Sequence, residues 1–327
     1  MQPIRDYFQR LSDAVGEGWN RFWFTPVAPE TVCLLRILVG LAATYLVASY
    51  TADLQVWFGP DGLLPVETVR QLTGTVQAGA FAPQSVGRWS YLDFAESSQL
   101  LWVLHFAGLG VVIAFALGLY SRITCVLSLA VTLAYLHRAP MIVGPFESVV
   151  PMVLFGLCWA PTGSRWSLDA WLARRRMKPA AIAQVTATRS AWANLGQRLI
   201  QVHVAALYLL MAATQLAGQT WWAGEAMWWL IARTDSRLVN LSWMNEHMLA
   251  INAWTHSIVL FEVLFGLLIW NRVARPLLLV LSILLWVPLA LVTGNVSFCL
   301  LMLAVNVSFV PPEFLQGVFA GKPAVAA

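Results

Sequence analysis

Charge is what this chain has least of. Of its 327 residues, 59% fall in the hydrophobic set and only 11% are charged, against roughly 25% charged in an ordinary soluble domain. A chain so composed cannot cover itself with a charged surface, so its solvent is lipid. Cysteine is scarce as well. Cys33, Cys125, Cys158 and Cys299 lie inside or at the end of apolar runs, with no CxxC and no His/Cys spacing suited to a metal. They read as small buried packing residues, which argues against a disulfide framework and against a metal centre. The first residues, MQPIRDYFQRLSDAVGEGWNRFWFTP, have no basic start followed by an apolar run and a small-residue cleavage site, so no cleaved signal peptide is expected. The net charge of +4 comes without an aromatic-interleaved basic patch, so nucleic acid is not an expected partner. No internal repeat stands out, and two matching halves with Gly- or Pro-interrupted spans are missing. That makes a small-molecule or lipid transporter the weakest of the readings below.

What is present is a succession of apolar runs. They predict an all-α, polytopic helical bundle with about eight transmembrane helices, near 31–50, 100–119, 123–139, 146–160, 199–217, 254–270, 276–293 and 295–310. Ahead of them, residues 1–28 set Ile4, Tyr7, Phe8 and Leu11 among Arg5, Asp6, Arg10 and Asp13, which at helical spacing predicts an amphipathic interfacial helix. The membrane domain then covers 29–312, with 313–327 as a short C-terminal tail. Lysine and arginine settle the expected orientation. Arg5, Arg10, Arg21, Arg122, Arg165, Arg174, Arg175, Arg176, Lys178, Arg189, Arg198, Arg272, Arg275 and Lys322 fall on one side, against Arg70, Arg88, Arg233 and Arg237, with Arg138 at a span end. Both termini are therefore expected in the cytoplasm. The basic segment 161–198, with LARRRMK, reads as an inner surface helix near anionic headgroups. The outer loops 51–99 and 218–253, the second dense in tryptophan, exceed ordinary connection lengths and so attract functional interest.

With that orientation the costly polar residues gather on the outer side: His105, His137, Arg138, Glu147, Thr214, Gln215, Glu225 and His256. Ionisable groups at membrane depth mark candidate sites, although span ends also tolerate them structurally. Gln215, His137, Arg138 and Glu225 are the candidates for chemistry: a neutral hydrogen-bonding group, a proton carrier, an anion or carbonyl stabiliser and a charge partner. Arg138 is within sequence reach of Glu147 as an ion pair. His105, Tyr208, Trp222 and His256 are the candidates to line a cofactor pocket, Tyr208 sharing a helical face with Gln215. The spacing of Trp222, Glu225 and Trp229 predicts one interfacial helix running on from Gly218. Arg36, one turn into the first span, either snorkels to the inner headgroups or pairs across helices. Mid-span Glu262 either pairs across helices or stays protonated.

Read together, LLRILVGLAATYL, WFGPDGLLP, HFAGLGVVIAFALGLYSR, LHRAPMIVGPFES, WAPTGSRWSLDAW and YLLMAATQLAGQTWWAGEAMWW resemble the horizontally transferred transmembrane (HTTM) domain family, relatives of the vitamin K-dependent gamma-carboxylase. The resemblance covers about residues 30–310. It implies an all-helical membrane domain with an outward-facing active region, a quinone or hydroquinone cofactor, and a peptide or protein partner beside membrane lipid. In the carboxylase branch a lysine supports the base chemistry where Gln215 stands here. Glutamine has no titratable group to move a proton, so the resemblance implies a divergent relative in a bacterial inner membrane that is not a gamma-glutamyl carboxylase. The other expectation is a non-catalytic subunit or scaffold of a maturation or electron-transfer assembly.

Overall fold

A computed structural model describes residues 2–66, 68–69, 89–177, 188–233 and 237–320. Part of the loop 51–99, part of the basic segment 161–198 and the end of the C-terminal tail, with Arg70, Arg88, Lys178 and Lys322, lie outside the described residues, as do the side chains of 2–8. Among the described residues the regular structure is helical, with no strand. In chain order the first helices are α1 (Gln2–Phe24), α2 (Glu30–Ser49), α3 (Leu54–Phe58), α4 (Ser98–Leu117), α5 (Ser121–Arg138), α6 (Pro145–Cys158) and α7 (Leu168–Arg176). They are followed by α8 (Ala191–Ala217), α9 (Gln219–Trp222), α10 (Ala226–Ala232), α11 (Met248–Leu268), α12 (Ala274–Thr293), α13 (Val296–Asn306) and α14 (Pro312–Ala320).

Among the described residues five helices are long and apolar enough to cross a membrane: α2, α4, α8, α11 and α12. The protein is a multi-pass membrane protein. A sixth crossing is available if α13 and α14 count as one span, although they are bent by 104° at the break between them. Each of the eight predicted positions holds a helix, but α6 has 14 residues and so reaches only about 21 Å, short of a hydrocarbon core of about 30 Å. Helix α5 has 18 residues and buries Ser121, Thr124, Ser128 and Thr132, a polar content that separates it from the five.

The chain divides into two compact units, Val32–Arg189 and Met1–Thr31 with Ser190–Ala327. In the Val32–Arg189 unit, α4 packs on α5 and α5 on α6. Helix α4 starts on Ser97, whose hydroxyl accepts from the Leu100 amide, and stops at Gly118, whose φ of 74° suits glycine. Helices α2 and α4 touch at Gly40, where an added Cβ would lie 2.7 Å from the Ala116 Cα. Arg36 does not snorkel. It is fully buried, and its Nη2 donates to the Trp166 carbonyl. Gly118 makes this possible, since a side chain there would overlap the guanidinium. Asp169 accepts from the amides of Tyr120 and Ser121, both at 2.8 Å, and from the Ser121 hydroxyl at 2.7 Å, closing the start of α5. The Cys125 and Cys158 sulfurs lie 3.6 Å apart as free thiols.

In the other unit α8 packs chiefly along α11, and α12 along α13. Helix α1 lies against α8, fixed where Asn194 Nδ2 donates to the Phe22 carbonyl at 2.8 Å and where Val27 and Ser190 exchange backbone hydrogen bonds. Leu11, Val15 and Trp19 are exposed at four-residue spacing on α1, an apolar stripe of the kind that lies in an interface. Gln197 and Gln201 both donate to the Ser308 carbonyl, at 2.7 and 2.6 Å, which satisfies an acceptor where α13 gives way to the bend.

Two outcomes are expected. Gly40→Val forces backbone apart and should lower stability in detergent by about 1–3 kcal/mol, read as a lower thermal midpoint. Burial raises the Asp169 carboxyl, but the Ser121 and Tyr120 hydrogen bonds and the Arg36 charge outweigh it and hold it below the usual carboxylate range. A depressed folded value gives stability that is present above the unfolded value, about 3.9, and lost as pH falls through the folded one. Acid unfolding should therefore show a loss below about pH 4 that Asp169→Asn abolishes.

Candidate functional site

The richest polar cluster of the Val32–Arg189 unit surrounds His105. Its ring is fully enclosed on α4, with Nδ1 2.7 Å from the Tyr135 hydroxyl and Nε2 2.9 Å from the Thr51 hydroxyl. A neutral imidazole donates from one nitrogen and accepts at the other, so Thr51, His105 and Tyr135 form a directional relay. Its walls are aromatic. Tyr135 stacks on Tyr50 at 5.3 Å and 6°, and Phe58 meets its edge at 5.3 Å. Tyr91, from the short 3-10 turn Tyr91–Phe94, brings a second phenol to Tyr135. Burial pushes the Tyr91 phenol up to about 12, against a smaller opposite pull from the Tyr135 hydroxyl, so at neutral pH it is a neutral donor.

Arg138 and His137 close α5 beside this cluster. Arg138 is buried, donates to the carbonyls of Leu64 and Phe58, and holds Nε 3.4 Å from Asp93. Asp93 is thus the acid beside it, while Glu147 accepts from the Gly144 amide at 2.8 Å and closes the start of its own helix. His137 is half-buried, with Nδ1 2.9 Å from the Trp89 carbonyl. A carbonyl only accepts, so Nδ1 carries the hydrogen and Nε2 is the basic nitrogen of the neutral ring.

The other candidates belong to the second unit. Gln215 Nε2, on α8, donates to Glu262 Oε1, on α11, at 3.2 Å. Glu262 is only 1% exposed, and neither its Oε2 nor Gln215 Oε1 has a hydrogen-bond partner. Thr214, by contrast, is exposed and donates to its own helix at the Met211 carbonyl. Only one member of the polar pair turns inward. Tyr208 is sealed in, its hydroxyl accepting from Trp286 Nε1 at 2.8 Å and Asn306 Nδ2 at 2.9 Å, with the Phe265 ring at 4.1 Å. The predicted continuous helix after Gly218 is two short helices, α9 and α10. Gly224 breaks it at φ 78° because His256 and Asn252 crowd it: a Cβ there would lie 2.8 Å from His256 Cε1. Glu225 consequently sits exposed at the break, with Trp222 and Trp229 exposed on either side. His256 is also exposed and bonds the Asn252 carbonyl through Nδ1 at 2.8 Å.

The structure thus joins Arg138 to the His105 neighbourhood through Phe58, and Gln215 to Glu262, a partnership absent from the sequence reading. Thr51, Tyr135 and Asp93 were also missed there. Tyr135 and Arg138 share a helical face by their spacing of three, a signal the sequence did contain. Among the described residues no group of three or more His, Cys, Asp or Glu side chains is placed to hold a metal ion. No family model, curated protein or solved structure matches the chain.

Tyr135→Phe leaves a buried imidazole nitrogen without its partner and should cost about 1–3 kcal/mol. Thr214→Ala should stay within about 0.5 kcal/mol. Thermal unfolding of the two variants side by side in one detergent checks both.

Proposed function

We propose that the protein is a divergent carboxylase-like member of the HTTM family that acts with a lipophilic quinone or hydroquinone and a peptide or protein partner. In this reading it sits in a bacterial inner membrane, crosses about eight times and keeps both termini in the cytoplasm, the arrangement that the Lys/Arg bias favours. The observation that carries the reading is the enclosed Thr51–His105–Tyr135 relay. Its groups have the chemistry a quinone needs if a carbonyl oxygen takes the place of the half-buried Thr51 hydroxyl at His105 Nε2, and Tyr50 and Phe58 line the space with aromatic rings. A bound quinone or hydroquinone would supply the redox chemistry. His105 would take or return a proton at a quinol oxygen and exchange it with Tyr135 or Thr51, while enclosure keeps bulk water from intercepting it.

Gln215 supports the second half of the reading. In the place that the resemblance gives to the carboxylase lysine, it donates one amide hydrogen to Glu262, and an amide cannot act as general base at neutral pH. Gamma-carboxylation is therefore not the proposed activity. A non-catalytic subunit of a maturation or electron-transfer assembly is the second reading. It is favoured by Arg138 and Tyr208, which are already engaged by internal partners.

The test is quinone binding by the purified chain in mild detergent, with bound lipids and proteins identified by mass spectrometry. His105→Gln should weaken binding of a short-chain hydroquinone by about tenfold, the effect of losing one buried hydrogen bond. Unchanged binding in that variant, with a stoichiometric protein partner in the preparation, would favour the scaffold.

A further inference from the structure

The Val32–Arg189 unit carries a groove that the reading above does not use. It encloses about 430 Å³ where α4 ends and α7 begins, and its walls include Leu117, Trp166, Leu168, Trp171 and Arg174. All five are substantially exposed, and all but Arg174 are large and apolar. Leu117 is the last residue of a span-length helix, so one wall of the groove continues the surface that α4 offers to lipid.

The charge around this groove has one sign. Arg174, Arg175 and Arg176 end α7 in a row, and the Arg175 guanidinium lies over the Trp171 ring, 3.7 Å from its centre. The only acid on that helix, Asp169, is turned away to hold the amides of Tyr120 and Ser121. A further cation lies beneath the floor. Arg36 donates one nitrogen to the Trp166 carbonyl and fills the space left by Gly118, between two residues of the groove's wall. Its Nε and Nη1 are buried and make no hydrogen bond.

We infer that this groove is a binding site for an anionic diacyl phospholipid. The tryptophans and leucines take the acyl chains near the glycerol, and Arg174 and Arg175 hold the phosphate and its negative headgroup, while the charge of Arg36 is offset by Asp169. An acidic peptide would find the same arginines, but the apolar wall continuous with α4 suits a chain already dissolved in the bilayer. A zwitterionic lipid brings an ammonium to the arginine row and is disfavoured. The assignment to the inner leaflet rests on the topology proposed above; the site itself does not.

Native mass spectrometry of the full chain in detergent, titrated with phosphatidylglycerol or with phosphatidylcholine of the same acyl chains, tests the inference. One phosphatidylglycerol should be retained per chain. Arg174→Gln with Arg175→Gln should weaken its binding by about tenfold or more, while Arg272→Gln, a cation of the other unit, leaves it unchanged. Equal retention of both lipids, or an equal loss in Arg272→Gln, overturns the site in favour of general surface charge. Displacement by inorganic phosphate at equal concentration, or preference for an acidic peptide over the lipid, overturns the lipid assignment. A lower thermal midpoint in the double variant without loss of lipid overturns it too, since the arginines would then serve folding. Labelling of Met177→Cys in intact cells by an impermeant reagent overturns only the leaflet, so the topology can fail while the site stands.

Discussion

Lipid offers no hydrogen bonds, and that shortage decides where the polar side chains of the spans go. A buried donor or acceptor left alone costs about 1–3 kcal/mol, so most of these side chains take at least one partner from inside the protein. Arg36 takes a carbonyl from the loop ahead of α7, His105 takes two hydroxyls, Tyr208 takes an indole and an amide, and Gln197 and Gln201 share one carbonyl. Most of these partners are neutral. Neutral pairs avoid the desolvation penalty that opposed charges would carry into hydrocarbon.

The two units answer this constraint differently. In Val32–Arg189 a histidine, two tyrosines and a threonine sit in aromatic surroundings, an arrangement in which hydrogens can shift without creating charge. In the other unit the distinctive contact joins a carboxyl to an amide, with the remaining oxygen of each side chain buried and unpartnered. The first suits exchange with a ligand that itself gains and loses hydrogens. The second suits fixing α8 against α11.

How much of this was legible in the sequence depends on the distance over which each contact acts. The helices of α2, α4, α8, α11 and α12 follow from unbroken apolar runs, a local property. Contacts between distant positions left no mark. Gln215 and Glu262 are far apart in the chain, and nothing in either run names the other. Glu147 looked available to Arg138 but serves its own helix start, where its carboxylate accepts from the Gly144 amide. The spacing of Trp222, Glu225 and Trp229 promised one helix, yet the crowding of Gly224 by His256 and Asn252, residues of another helix, breaks it. The resemblance to a family added an expected site but could not supply these partners.

The burial of Arg36 under Gly118 links two positions that lie far apart in the chain. The guanidinium occupies the volume in which any side chain at 118 would begin, so an arginine at 36 and a substituent at 118 exclude one another. A side chain at 118 would also meet the Ser167 Cβ at 2.5 Å and would have to adopt a φ of 74°, so the glycine is required by its own backbone and by Ser167 as well as by the guanidinium. The dependence therefore runs one way: the buried arginine needs the glycine, while the glycine would be needed without the arginine.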